Sequence, residues 1–228
     1  MNFEVDAILF DIDGTLVDST PAVVRTWTAF AQERTLDIEE ILRVSHGRRT
    51  EDTLADLLPA SEVAAATAQM EQMELDDLGD VTALPAADSV LRGLPADRWA
   101  VVTSGSRRLM RTRLRAAGLP VPQAFIGAED VEHGKPDPGG YLTAAATLGA
   151  EPTRCLVVED APAGIRAGRA SGAAVLAVAT SHDESVLSEA DVVVKDLSML
   201  AVTVTPAGLR VSATSMVSTP GAHPLTRE

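Results

Sequence analysis

The sequence predicts an α/β fold in which a parallel sheet is sandwiched between helices and carries an inserted helical subdomain. From residue 83 onwards, short apolar runs alternate with helix-compatible segments. This pattern is typical of parallel strands joined by right-handed helical crossovers. Residues 17–82 contain no strand-like run, so they are predicted to form a helical insertion rather than a single crossover. A chain of 228 residues accommodates one such domain with a smaller insertion.

The individual elements follow from apolar periodicity and from the glycine and proline residues that interrupt it. The first strand is the apolar run that precedes Asp11. In the insertion, helices are predicted at 22–33, 39–44, 51–58 and 61–78. The later region is predicted to form strands at 99–103, 124–127, 155–158, 173–179 and 192–194, and helices at 107–117, 138–148 and 162–171. The predicted domain organisation is an α/β core at 1–16 and 83–210, a helical insertion at 17–82, and a flexible tail rich in Ser, Thr, Pro and Gly at 211–228.

Composition excludes several classes of function. The formal net charge of −14 argues against a general nucleic-acid-binding protein and requires local positive charge around any anionic substrate. The apolar runs are too short to span a bilayer, and the first residues lack the basic start of a secretory signal. We therefore expect no membrane association, a cytoplasmic location, and a monomer or a weak homodimer.

The chain has a single cysteine, Cys155, which opens a predicted strand. Without a partner it cannot form an internal disulfide, which fits a reducing compartment. We expect it to be a small buried hydrophobe rather than a catalytic thiol.

Two acidic residues, Asp11 and Asp13, follow the first strand. Side chains two residues apart on a strand point to the same side, so both should project beyond its carboxyl end, where open α/β sheets bind ligands. Neighbouring carboxylates repel each other, which favours either a shared proton or a bound divalent cation. The alternative is an ordinary turn built on Asp13-Gly14.

Three further segments carry polar residues at the ends of predicted strands or before helices. Thr103-Ser104-Gly105 forms a turn whose backbone N–H groups suit a phosphate oxygen. Lys135 lies on a proline-containing loop and supplies a compact cation. Glu159-Asp160 ends a strand and supplies the oxygen ligands that Mg²⁺ requires. Taken singly, the first segment is more often an ordinary turn, the second a solvated lysine and the third a helix cap.

Together and in this order, the four segments Asp11-Ile12-Asp13-Gly14-Thr15, Thr103, Lys135-Pro136 and Glu159-Asp160 resemble the motifs of the haloacid dehalogenase superfamily. The resemblance covers about residues 1–200, and Gly164 fits the last motif. It implies a Rossmann-like core in which residues 17–82 form the small helical cap of that superfamily. An acid at the position of Asp13 is the mark of the phosphate-transferring members.

The resemblance also implies roles for these residues. Asp11 would attack phosphorus and form an aspartyl-phosphate, while Asp13 would protonate the leaving oxygen and later take a proton from water. Mg²⁺ would be held by Asp11, the backbone carbonyl of Asp13 and Asp160, with Glu159 as a further candidate ligand. Thr103 and Lys135 would complete the countercharge and the hydrogen bonding around the phosphate.

Within the cap, His46-Gly47-Arg48-Arg49-Thr50 resembles a His-Gly-x-Arg-Thr segment of sugar and polyol phosphatases, such as the 2-deoxyglucose-6-phosphate and glycerol-phosphate phosphatases. This implies that Arg48 or Arg49 meets a small phosphorylated metabolite, with His46 nearby. The alternative is a solvated helix start. The other predicted substrate-binding residues are Thr103, Ser104, Gly105 and Lys135. At the hinge, where relatives usually carry Pro-Gly, this chain reads Leu84-Pro85-Ala86. His133 is expected to be a surface residue.

The predicted function is therefore Mg²⁺-dependent hydrolysis of a small phosphorylated sugar or polyol. Phosphoglycolate hydrolysis and a β-phosphoglucomutase-like isomerisation are the enzymatic alternatives. A catalytically silent binding protein on the same scaffold is the alternative from a different class.

Overall fold

The computed structural model describes residues 1–214. In chain order, its strands are β1 (Asn2–Val5), β2 (Ala7–Phe10), β3 (Val17–Asp18), β4 (Thr82–Ala83), β5 (Trp99–Val102), β6 (Phe125–Ile126), β7 (Cys155–Glu159), β8 (Ala174–Val178), β9 (Val192–Val194), β10 (Leu200–Thr205) and β11 (Gly208–Ala213). The helices are α1 (Thr20–Arg34), α2 (Ile38–Ser45), α3 (Thr50–Leu57), α4 (Ala60–Asp76), α5 (Ala87–Arg92), α6 (Arg107–Ala116), α7 (Gly139–Thr147) and α8 (Pro162–Ala170). Every helix and strand predicted from the sequence is present, with ends shifted by a few residues.

A parallel sheet of six strands forms the core, in the order β6-β5-β2-β7-β8-β9. Alternate residues of β2 face opposite sides of this sheet, and both sides are covered. Ile8 and Phe10 pack among apolar residues of α5 and α6. Ala7 and Leu9 pack among residues of α7 and α8. The predicted α/β sandwich is thus confirmed, and it buries β2 completely.

The helical insertion is also confirmed, and α1 to α4 share a small apolar core of their own. Trp27 and Phe30 on α1 meet edge to face and pack against Ile41, Leu54 and Met70 from the other three helices. The short strands β3 and β4 pair antiparallel where the chain leaves and re-enters the α/β core. We refer to residues 17–82 as the cap.

The hinge residue Ala86 adopts a left-handed backbone conformation, with φ of 64°. This conformation costs an L-residue with a side chain about 1–2 kcal/mol, whereas glycine adopts it freely. A glycine at this position would avoid that cost.

A second, antiparallel sheet in the order β1-β11-β10 was not predicted. Residues 211–213, which we expected to begin the flexible tail, pair with β1 and β10, and Val211 is buried. The predicted boundary at 210 is therefore wrong by three residues, because β11 is stabilised by strands distant in sequence. Residues 215–228 of the predicted tail lie outside the described residues.

Within residues 1–214, none of the helices combines the length and apolar character needed to cross a membrane. Cys155 is buried, as predicted, and burial raises the pKa of its thiol to about 11. His133 is exposed, also as predicted.

Candidate active site

The carboxyl ends of three adjacent strands bring the predicted acidic and hydroxyl residues together. β2 lies between β5 and β7, and Phe10 is in register with both Val101 and Val158. Since all three strands run parallel, the residues that follow them meet at one edge. Asp11, Thr103 and Asp160 therefore converge there, and all three are buried.

Lys135 completes this cluster from the loop before α7. Its Nζ lies 2.5 Å from Asp11 Oδ1 and 2.6 Å from Glu159 Oε1, and it also donates to the backbone carbonyl of Val102. Burial alone lowers the pKa of a lysine, but the Asp11 and Glu159 carboxylates outweigh it and raise the Lys135 pKa well above its ordinary value. The lysine is therefore a fixed cation at the centre of an acidic site.

Both carboxylate oxygens of Glu159 accept two hydrogen bonds each from protein donors. Its Oε1 accepts hydrogen bonds from Lys135 and from the hydroxyl of Tyr141, and its Oε2 accepts the backbone N–H groups of Asp160 and Ala161. A Cβ at Gly164 would lie 1.6 Å from Glu159 Oε1, so only glycine fits beside this carboxylate. The geometry favours Glu159 as the group that holds Lys135 in place.

The donor set fits a hard divalent cation. One carboxylate oxygen each from Asp11, Glu159 and Asp160 lie within 4.8 Å of one another. Burial and the neighbouring Glu159 charge raise the pKa of Asp160 to about 7, and a cation beside it would favour the ionised form. Asp160 also accepts hydrogen bonds from the hydroxyls of Thr15 and Ser181, which orient it towards the site.

Gly14 lies so close to the cluster that a side chain cannot fit. Its φ is 81°, and a Cβ there would lie 2.1 Å from Asp160 Oδ2. The glycine of the first motif is therefore required both by its backbone conformation and by its approach to the acid.

Asp13 lies beside the cluster, and its side chain binds two residues that are not part of it. Its Oδ1 accepts a hydrogen bond from the Ser19 hydroxyl at 2.7 Å, and its Oδ2 accepts one from Nη1 of Arg113 at 2.7 Å. The Asp13 side chain is partly exposed, whereas that of Arg113 is buried. Asp13 was expected to contribute its backbone carbonyl to a metal site, and these side-chain contacts do not test that expectation.

The cap and the core enclose a cleft above these residues. The predicted residues that line it include Asp11, Asp13, Thr103, Ser104 and Gly105 from the core, Asp160 from the end of β7, and His46, Arg48 and Arg49 from the cap. Lys135 and Glu159 lie behind Asp11, and Lys135 lines a smaller adjoining cavity. The cap meets the core directly here, because the Ser104 hydroxyl donates to the backbone carbonyl of Gly47 at 2.8 Å.

Both cap arginines that face the cleft are already paired within the protein. Arg48 donates to Asp56 at 2.9 Å, and Arg49 binds Asp52 through two hydrogen bonds of 2.8 Å. Arg49 also donates to backbone carbonyls of the core loop at Val131 and Glu132. These pairs hold the guanidinium groups at the edge of the cleft and reduce the free positive charge there.

Sequence reasoning missed several residues that shape the site, namely Ser19, Glu74, Arg113, Tyr141 and Ser181. For Arg113 a signal existed. Leu109, Met110 and Leu114 form the buried face of α6, and the spacing of a helix places position 113 on the same face. An arginine within an apolar stripe predicts a buried partner of opposite charge.

The chain is similar to known hydrolases in both sequence and fold. The profile of the haloacid dehalogenase-like hydrolase family matches residues 5–172. Hexitol phosphatase A from Escherichia coli (strain K12) is 42% identical over 208 residues, which cover 88% of this chain and 95% of that protein. The 2-deoxyglucose-6-phosphate phosphatase 1 of Saccharomyces cerevisiae is 36% identical over 226 residues, covering 88% and 91% respectively. Among solved structures, a hydrolase from Pseudomonas syringae superimposes with a TM-score of 0.77 at 25% identity, over 84% of this chain and 94% of that one.

Proposed function

The chain belongs to the haloacid dehalogenase-like hydrolase family and is a phosphatase of that family, and on that premise we propose that it hydrolyses the phosphate monoester of a small sugar or polyol. The observation that carries the proposal is the convergence of Asp11 and Asp160 in a cleft that the cap covers, with Lys135 bound to Asp11 from behind. A nucleophile, a fixed cation and a set of oxygen ligands are the parts that phosphoryl transfer needs.

Asp11 is the proposed nucleophile. Lys135 binds its Oδ1, which leaves Oδ2 to form a bond to phosphorus as the bond from phosphorus to the alcohol oxygen breaks. Thr103 Oγ1 accepts the N–H of Gly105, so its own hydroxyl proton is available for a phosphate oxygen. The product of this step is a phosphorylated Asp11 and a free alcohol.

Asp13 is the proposed general acid and base. As an acid it gives a proton to the departing alkoxide, which becomes the free alcohol. As a base it then takes a proton from water, whose oxygen attacks phosphorus and releases inorganic phosphate and Asp11. Asp13 suits both steps because it follows Asp11 by two residues and lines the same cleft.

Mg²⁺ is the proposed cofactor, held by Asp11, Asp160 and the backbone carbonyl of Asp13. When bound, it supplies positive charge that offsets the charge of the phosphoryl group and of the acids around it. Within this set, we assign Glu159 to the support of Lys135, since its oxygens already accept four hydrogen bonds.

The cleft favours a substrate with hydroxyl groups over one with a second acid. Its lining residues include Glu51 and Glu71, while Arg48 and Arg49 are paired with their own aspartates. Carboxylate oxygens accept hydrogen bonds from hydroxyl groups but repel another carboxylate. This argues for a sugar or polyol phosphate and against phosphoglycolate, in line with the substrates for which the similar phosphatases are named.

The direct test is Mg²⁺-dependent hydrolysis of p-nitrophenyl phosphate by the parent and by Asp11→Asn. Loss of the nucleophile is expected to lower kcat by at least about 10³-fold. Asp6→Asn is the matched control, because Asp6 immediately precedes the same strand, at the opposite end from the cluster. Equal rates of hydrolysis by the parent and by Asp11→Asn would dismiss the nucleophile assignment. Absence of Mg²⁺-dependent hydrolysis by the parent itself would favour the silent binding protein.

A panel of hexitol, deoxyhexose, glycerol and glycolate phosphates then identifies the substrate class. The polyol and sugar phosphates are expected to have the higher kcat/KM. Preference for phosphoglycolate would contradict the charge argument. Isomerisation of a hexose phosphate that needs a bisphosphorylated activator, without phosphate release, would identify a mutase instead.

A further inference from the structure

Arg113 contacts two carboxylates that belong to different parts of the molecule. It lies on α6 of the core, and its side chain is only 2% exposed. Nη1 lies 2.7 Å from Asp13 Oδ2, and Nη2 lies 3.3 Å from Oε1 of Glu74 on cap helix α4. One buried guanidinium therefore joins the proposed acid and base to the cap.

The contacts of Asp13 leave its carboxylate little freedom to rotate. Arg113 binds one oxygen and the Ser19 hydroxyl binds the other. Each carboxylate oxygen has two lone pairs, so both retain capacity to face a leaving group or a water molecule in the cleft. Holding a catalytic group in a fixed direction is worth orders of magnitude in rate, since small misplacements are costly.

The contact with Glu74 makes this orientation depend on the position of α4. Glu74 is buried, and burial raises its pKa although Arg113 acts in the opposite direction. The same two helices are joined again by the Ser106 hydroxyl, which donates to Glu71 at 2.7 Å. Helix α4 is thus bound to α6 at two points beside the cleft.

We propose that Arg113 is a positioning residue, which orients the carboxylate of Asp13 towards the leaving oxygen. Through its contact with Glu74, Arg113 also makes this orientation depend on the position of the cap. This inference rests on the proposed role of Asp13 as the general acid. A positioning role of Arg113 differs from a purely structural role, because it predicts an effect on kcat/KM that depends on the leaving group.

The leaving group separates the two roles. A sugar or polyol alkoxide is a strong base and must be protonated as it departs, whereas p-nitrophenolate departs without a proton. If Arg113 positions the acid, its loss lowers kcat/KM for an alkyl phosphate more than for p-nitrophenyl phosphate. If Arg113 only stabilises the fold, both values fall together.

The main variant is the double change Arg113→Met with Glu74→Met. Arg113→Met alone leaves Glu74 buried without a partner, which is strongly destabilising, whereas replacing both members of a buried pair is often tolerated. Glu74→Gln is the second variant, since it keeps the Arg113–Asp13 contact but removes the charge on the cap. Arg154→Met, which breaks an exposed ion pair with Asp6, is the control for the loss of an arginine. Melting temperatures identify the variants that are folded.

The quantity to measure is the ratio of kcat/KM for the best polyol or sugar phosphate to kcat/KM for p-nitrophenyl phosphate. We expect the double variant to lower this ratio by about tenfold or more, which is part of the roughly 10²–10⁴-fold that general acid catalysis contributes. Glu74→Gln should lower it in the same direction but less, and Arg154→Met should leave it unchanged. An unchanged ratio in the folded double variant overturns the inference.

Asp13→Asn separates failure of the inference from failure of the proposed function. If Asp13→Asn lowers the ratio while the double variant does not, Asp13 is the acid and Arg113 is structural. If Asp13→Asn lowers kcat/KM equally for the sugar or polyol phosphate and for p-nitrophenyl phosphate, Asp13 is not the general acid. The inference about Arg113 then fails together with the proposed role of Asp13.

Discussion

Replacement of Lys135 by methionine is expected to destabilise the protein strongly when Mg²⁺ is absent. Methionine has a similar length but no charge, so it removes the cation and retains much of the apolar stem. Lys135 contacts Asp11 and Glu159 at 2.5 and 2.6 Å. All three side chains are at most 10% exposed, so water cannot replace the lost partner.

The magnitude follows from the state that the substitution leaves behind. Asp11, Glu159 and Asp160 remain within 4.8 Å of one another without a fixed cation. Breaking a buried ion pair by removing one partner costs about 3–5 kcal/mol. In a domain of this size, 1 kcal/mol shifts the melting temperature by about 2–4 °C. The expected decrease is therefore about 6–20 °C.

The assay is thermal unfolding followed by circular dichroism near neutral pH, with a chelator and then with saturating Mg²⁺. The metal should restore part of the loss in Lys135→Met, because it places positive charge among the same carboxylates. Lys195→Met is the matched control, since Lys195 is the only other lysine of the chain and is exposed. If Lys135→Met melts within about 2 °C of Lys195→Met, the buried ion pair contributes nothing and the reasoning is refuted.

Two further predictions concern the same cluster. Gly164→Ala should lower the free energy of unfolding by about 1–3 kcal/mol and weaken Mg²⁺ binding, because its Cβ would displace Glu159. Gly79→Ala, where a Cβ meets nothing within 4 Å, is the control, and equal effects in unfolding and titration calorimetry would contradict the steric argument. The second prediction concerns pH. Burial and the charge of Glu159 raise the pKa of Asp160 to about 7 from an ordinary 3.8. The stability that protonated Asp160 contributes is therefore complete below pH 3.8 and is lost as pH rises through about 7. In a chelator, the melting temperature should therefore rise as pH falls from about 8 to about 5, and Asp160→Asn should show a smaller rise; an equal rise in both proteins would exclude Asp160 as a source of the effect.

The local chemistry of the site could be predicted because it depends on positions along strands. Asp11, Thr103 and Asp160 directly follow strands that run in the same direction, and parallel strands bring their carboxyl ends to one edge. Residue order and strand period are visible in a sequence. The α/β core and the helical insertion were likewise predicted from apolar patterning, whereas the identification of the insertion as a cap came from the family resemblance.

Partner choice depended on packing between distant segments, and the sequence does not contain that information locally. Arg113 and Asp13 are 100 residues apart, and nothing near either residue identifies the other. The pairing of β11 with β1 joins the two ends of the described chain, so the tail boundary was placed too early. Arg48 and Arg49 were predicted to contact the substrate, and their ion pairs with aspartates on α3 were not foreseen.

The sequence by itself therefore determined which groups lie at the carboxyl ends of the strands, because strand direction and side-chain alternation are local properties of the chain. Only the tertiary structure decided how those groups are oriented and neutralised. Buried charges need partners within hydrogen-bond distance, and the identity of those partners emerges only when the cap, α6 and the strand ends pack together.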